Sequence, residues 1–133
     1  MPKARKSATI LLVDDNDCLR TGLTELLTLK GYRTFEAPNP EHALSLVKQF
    51  GNELDVLVTD IVMPGMNGFE LSRRVRSIYP RIGIIHMSAY CLAETAASEF
   101  NNDVVLQKPI PISVLVEAVE RVVRRDPGNS GGG

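Results

Sequence analysis

Short apolar runs rich in β-branched residues alternate along the chain with stretches whose apolar residues recur at helical spacing. The first run is Thr9–Val13. Leu19, Leu23, Leu26 and Leu27 then form a helical stripe, and Gly31 stands where a left-handed residue closes a helix. Arg33–Ala37 reads as a brief strand. Asn39-Pro40 follows as an N-cap with proline at the first helical position, and Ala43, Leu44 and Val47 continue that helix toward Gly51. Residues 54–59 predict a third strand, ending at Asp60 and a loop of turn formers: Pro64, Gly65, Asn67 and Gly68. A helix is predicted over 69–78 with Leu71, Val75 and Ile78 on one face, then a strand over 82–87. A helix with few large apolar residues is predicted over 93–100, and a strand over 104–106. The clearest amphipathic stripe comes last: Ile112, Leu115, Val116, Val119, Val122 and Val123.

Five strand–helix repeats mean a parallel sheet covered by helices on both faces, an α/β three-layer sandwich. Right-handed crossovers narrow the topology, and a five-stranded parallel sheet in the flavodoxin-like order 2-1-3-4-5, a (βα)5 fold, is the natural solution. In such sheets ligands bind beyond the carboxyl ends of the strands. The residues there are Asp14 and Asp15 after the first run, Asp60 after the third, Ser88 after the fourth and Lys108-Pro109 after the fifth.

That edge is electrostatically demanding. Two carboxylates ~5 Å apart at an effective dielectric of about 20 repel by roughly 3 kcal/mol. Lys108 supplies one compensating charge, and a hard divalent cation such as Mg²⁺ is the natural second. Together they suit phosphoryl transfer to a carboxylate nucleophile, with a Ser88 hydroxyl available to a phosphoryl oxygen. Taken singly, each residue has a plainer reading: Asp14-Asp15 as a helix N-cap, Asp60 as a turn residue, Lys108 as a solvated lysine. Their joint placement at one sheet edge favours the site.

Composition adds exclusions. The 133 residues are 44% hydrophobic and 23% charged, as in a globular domain rather than a disordered chain. A net charge of -1 argues against non-specific nucleic-acid binding. No apolar run is long enough to span a bilayer. The basic start (Lys3, Arg5, Lys6) lacks the apolar core of a secretory signal. Cys18 and Cys91 have neither zinc spacing nor a disulfide framework, which suits free thiols in a reducing, cytoplasmic compartment. His42 reads as a solvated helix residue and His86 as a satisfied core histidine. The expected organisation is a disordered basic leader over 1–8, one domain over 9–125 and a flexible tail over 126–133.

Four stretches carry a family likeness: ILLVDDN over 10–16, VTDIVMPGMNGFEL over 58–71, HMSAY over 86–90 and LQKPI over 106–110. With these the chain resembles the response-regulator receiver domains of two-component phosphorelay signalling. The resemblance implies that Asp60 is the phosphoacceptor. It implies that Asp14, Asp15, Asp60 and the backbone carbonyl of Val62 hold Mg²⁺, that Ser88 is the switch hydroxyl followed by the small Ala89, and that Lys108 is the ion-pairing lysine. It further implies a cis peptide bond before Pro109 and a close approach of backbone at Gly68. The implied partners are a sensor histidine kinase or histidine phosphotransfer protein and a downstream protein target.

One position departs from the family. Val105 stands where an aromatic ring is usual, so switching here runs through the backbone after Ser88, through Tyr90, or is weak. Val62 and Tyr90, bulky and neither acidic nor amide-bearing, imply slow self-dephosphorylation. Two other readings stay open: a receiver-like scaffold that binds partners without phosphorylation, and a Mg²⁺-dependent aspartyl phosphohydrolase. The second lacks an acid two residues past Asp60, where Val62 stands. The domain is expected either to stand alone or to come from a larger protein such as a hybrid kinase.

Overall fold

A computed structural model describes residues 8–89 and 104–124. The expectations for residues 1–7 of the leader, Tyr90, Cys91, the helix over 93–100 and the tail over 126–133 lie outside these residues, whereas Ala8, the last residue of the expected leader, is buried in the core. The elements are β1 (Thr9–Val13), α1 (Asp17–Leu29), β2 (Arg33–Ala37), α2 (Pro40–Phe50), a 3-10 turn (Gly51–Glu53), β3 (Val56–Asp60), α3 (Gly68–Ile78), β4 (Gly83–Ser88), β5 (Val104–Gln107) and α4 (Ile112–Arg124). All strand pairs are parallel, in the order β2-β1-β3-β4-β5. This is the 2-1-3-4-5 sheet that the alternation predicts.

The apolar runs are continuous because both faces of the inner strands are covered. Successive side chains point to opposite faces. Ile10 and Leu12 of β1 join Val56, Val58, Ile85 and Met87 against Leu23 and Leu27 of α1 and Leu115, Val119 and Val122 of α4. Leu11 and Val13 join Leu57 and Ile84 against Ala43 and Val47 of α2 and Leu71 and Val75 of α3. Truncating a fully buried leucine such as Leu11 or Leu57 would cost about 2–5 kcal/mol.

Three asparagines start three helices. The Oδ1 atoms of Asn16, Asn39 and Asn67 accept from the N–H groups of Leu19 (3.0 Å), His42 (2.8 Å) and Glu70 (2.9 Å). Each satisfies a donor that the helix leaves unpaired, an effect of about 1 kcal/mol. Gly31, at φ 99°, closes α1 in the left-handed conformation expected of it.

The element ends differ in small ways. Residues 54 and 55 precede β3: Asp55 turns its Oδ2 to the Thr9 N–H at 2.8 Å and its own N–H to the Thr9 carbonyl at 2.8 Å, so the regular ladder starts at Val56. Asp60, Ser88 and Gln107 are the last residues of their strands, because sheet pairing continues through Asp60 opposite Met87 and Ser88 opposite Gln107. Leu26 (41% exposed) and Ile78 (42%) fall off the predicted buried faces. Leu26 lies about 100° around the helix from Leu27, which takes the place against the sheet. Among the described residues no helix is long and apolar enough to cross a membrane.

Candidate functional site

The carboxyl ends of β1, β3, β4 and β5 bring the predicted residues together. Asp14 follows β1 and is fully buried. Its N–H donates to the Ala37 carbonyl at 3.2 Å, extending the β1–β2 ladder by one rung. Its Oδ1 accepts the Asn16 N–H at 2.9 Å, and its Oδ2 accepts from Lys108 Nζ at 3.0 Å. Asp14 is therefore not the N-cap of α1; Asn16 is, and the Asp14 carboxylate is left to face the neighbouring strands. Asp15 is exposed.

Asp60 ends β3 and is buried, and its Oδ2 accepts from the same Lys108 Nζ at 3.0 Å. Lys108 thus bridges Asp14 and Asp60, one ammonium against two carboxylates. Its own N–H donates to the Ser88 carbonyl at 2.7 Å, which ties the lysine to the end of β4. Ser88 is buried beside it, and the Lys108–Pro109 peptide bond is cis.

The backbone after Asp60 is tightly held. The Ile61 N–H donates to the Met87 carbonyl at 3.0 Å, and the Gly68 N–H returns to the Ile61 carbonyl at 2.8 Å. A Cβ on Gly68 would stand 2.3 Å from the Asp60 carbonyl oxygen and 2.9 Å from Ile61 Cα. Only glycine allows the start of α3 to approach β3 this closely. The Val62 side chain, in the same loop, is 61% exposed.

Burial pushes the Asp60 carboxyl above its ordinary value; the Lys108 ammonium pulls it back, and the Asp14 charge adds to the rise. For Lys108 burial acts downward, but its hydrogen bonds and charge pairing with Asp14 and Asp60 outweigh it, and its pKa is raised. The lysine stays protonated.

One ligand oxygen from each of Asp14, Asp15 and Asp60 can be chosen so that all lie within 4.8 Å of one another. Three carboxylates against one ammonium leave the cluster short of positive charge. An all-oxygen donor set with one exposed member is chemically suited to a small hard cation that keeps part of its water.

Below the site, His86 of β4 is buried, with Nε2 3.3 Å from Ser72 Oγ and its ring tilted against Phe69 at 5.5 Å. It is a core residue, as expected, and His42 is exposed. Val105 is half-buried and packs with Ile61 and Phe69 in a small cluster beside the site. Cys18 is an exposed free thiol.

Three residues that hold the site were not picked out from the sequence. Asn16 both caps α1 and closes a turn on Asp14, while Arg20 and Glu36 meet next to Asp14. The available signal was Arg20 itself, a charge set between the stripe positions Leu19 and Leu23.

The profile of the response regulator receiver domain matches residues 10–120. The chain belongs to this family of signalling domains. It is 37% identical over 123 residues to the sensor kinase CckA of Brucella abortus, covering 90% of this chain and 13% of that protein. It is 36% identical over 119 residues to the transcriptional regulator NtrC of Azospirillum brasilense, covering 88% and 24%. The chain therefore spans a small part of these relatives' length. Among solved structures, TrrA of Thermotoga maritima, determined in complex with Mg²⁺-BeF, is 32% identical with a TM-score of 0.75, over 86% of this chain and 98% of that one. The receiver domain of the hybrid histidine kinase CckA is 30% identical with a TM-score of 0.73, over 87% and 99%. The protein is a receiver domain of two-component signalling, homologous to the phosphoacceptor domains of response regulators and hybrid kinases.

Proposed function

We propose that this receiver domain takes up a phosphoryl group on Asp60 and uses it to change what its surface binds. The observation that carries the assignment is the Lys108 ammonium, 3.0 Å from both Asp14 and Asp60, in a cluster with Asp15 at the strand ends. Asp14, Asp15, Asp60 and the Val62 carbonyl would hold Mg²⁺. When bound, the ion supplies positive charge against the phosphoryl oxygens.

The donor is a phosphohistidine of a sensor kinase or phosphotransfer protein. A carboxylate oxygen of Asp60 attacks phosphorus, the new O–P bond forms as the donor's N–P bond breaks, and the electron pair returns to the imidazole nitrogen. Lys108 is already fixed by Asp14 and by its main-chain bond to Ser88, so it can turn its charge to the phosphoryl oxygens without reordering. The Ser88 hydroxyl donates to another of these oxygens. Its movement, with the β4–β5 end of the sheet, shifts a pre-existing equilibrium between two surface states. A downstream protein reads the result.

Incubation with acetyl phosphate and Mg²⁺, followed by intact mass, tests this reading. We expect one added phosphoryl group in the wild type and none in Asp60→Asn. A mass gain that survives Asp60→Asn overturns the assignment, and absence of any gain favours a scaffold that binds without phosphorylation.

A further inference from the structure

Arg20 has no part in the chemistry above, yet it is built into the same sheet edge. It lies in the first turns of α1 with its side chain only 12% exposed. Each guanidinium nitrogen has its own acceptor. Nε donates to Glu36 Oε1 of β2 at 3.1 Å, Nη1 to the Asp14 main-chain carbonyl at 2.8 Å, and Nη2 lies 2.8 Å from Asp17 Oδ1. A half-buried, fully engaged fork of this kind is a rigid object, unlike a surface ion pair on a flexible stem.

The bond to Asp14 is the informative one. The Asp14 N–H makes the last rung of the β1–β2 ladder, so the carbonyl on its other side lies beyond regular sheet pairing. Arg20 supplies its partner. That carbonyl shares a peptide plane with the Asp15 nitrogen and Cα, and the next plane is held by the Asn16 N–H on Asp14 Oδ1 at 2.9 Å; with both planes restrained, the direction in which the Asp15 Cα–Cβ bond leaves the chain is set. The Asp14 carboxylate has its own restraints in Asn16 and Lys108. Asp15 is exposed, and its aim depends on the backbone that carries it. Charge is a weaker account of Arg20, because Asp17 and Glu36 stand against the guanidinium.

We infer that Arg20 is a positioning residue for the divalent-cation site: its fork locks the Asp14–Asp15 peptide plane and so holds the Asp15 carboxylate in the ligand cluster. The inference rests on the metal reading of that cluster. Lysine cannot replace it, since the three acceptors on α1, β2 and the β1 end each sit on a different nitrogen of a planar fork, and one compact ammonium cannot reach all three positions.

The test is calorimetric titration of the full chain with MgCl₂, alongside the melting temperature without metal and the amide NMR shifts of Asp15 and Asn16. Arg20→Lys and Arg20→Met should each weaken Mg²⁺ binding by about tenfold, the usual scale when a group that orients a ligand is lost. The Asp15 amide should shift in the metal-free protein. Arg33→Lys, which alters a comparable but exposed ion pair to Glu53 elsewhere on β2, should leave binding unchanged. If Arg20→Met does not fold, Arg20→Lys keeps the charge and carries the test, with Glu36→Gln, which loosens the fork, expected to lose less affinity. A lowered melting temperature with Mg²⁺ affinity within about twofold of wild type would mean a structural role only and overturn the inference. A wild type that takes up no Mg²⁺ overturns the metal reading and this inference together.

Discussion

His86 makes the fold sensitive to acid in a way that can be isolated. Burial, with a contribution from the Arg76 charge, depresses its pKa from 6.5 to about 4. The unfolded chain therefore takes up a proton on this ring at a pH where the folded protein refuses it. Above pH 6.5 the ring is neutral in both states and contributes no pH dependence. As pH falls from 6.5 toward about 4, stability is lost at about 1.4 kcal/mol per pH unit, reaching roughly 3 kcal/mol. Against a total of about 5–15 kcal/mol for an ordinary domain, that is a large share. Asp60 works in the opposite sense, since its raised pKa makes the folded state the better proton acceptor, and it must be cancelled by comparison. His86→Met serves: the replacement is apolar and adaptable, and Ser72 Oγ retains its bond to the Phe69 carbonyl at 3.0 Å. Urea denaturation followed by far-ultraviolet circular dichroism at about pH 7 and about pH 4.5 should show the wild type losing about 2.5 kcal/mol more than the variant. Parallel losses in the two proteins would refute the assignment of that acid sensitivity to His86.

Other outcomes follow from the same geometry. Gly68→Ala should destabilise the protein by about 1–3 kcal/mol or more, because its Cβ meets backbone rather than a movable side chain; the melting temperature and the phosphorylation yield should fall together. Lys108→Ala leaves Asp14 and Asp60 buried without their shared cation, which should cost about 3–5 kcal/mol in metal-free protein, and Mg²⁺ should restore more stability to this variant than it adds to the wild type in parallel melts. Mg²⁺ affinity should decline on acidification, beginning at a higher pH than for an ordinary aspartate, because Asp60 takes up a proton more readily; a calorimetric pH series checks this. Phosphorylated protein should decay slowly, and Val62→Asn should accelerate the decay measured by mass, since Val62 is exposed in the loop two residues after Asp60 and an amide there would offer an attacking water a hydrogen-bond partner.

Much of the architecture was legible because inner strands buried on both faces write unbroken apolar runs, and β1 and β3 do so plainly. The site was legible for a related reason: a parallel sheet aligns its carboxyl ends, so Asp14, Asp60, Ser88 and Lys108 needed only to end or follow strands to meet. The element ends were less clear. Asp60 and Ser88 are polar yet remain within their strands, because pairing with a neighbour, not hydrophobicity, decides where a ladder stops. Leu26 and Ile78 misled for the converse reason, since an apolar residue on a helix flank looks the same in sequence as one facing the sheet. Arg20 showed only as a charge within the α1 stripe; its bond to the Asp14 carbonyl was illegible, because a carbonyl has no letter in the sequence.

The ammonium of Lys108 touches Asp14 and Asp60 across separations of 94 and 48 residues. A polypeptide assembled only through β4 would gather its acids with nothing to balance them, and would gain its countercharge when the edge strand β5 docks. On the proposed reading of Asp60 as phosphoacceptor, competence to take up a phosphoryl group is thereby tied to completion of the sheet, so that a half-built molecule stays deaf to any donor.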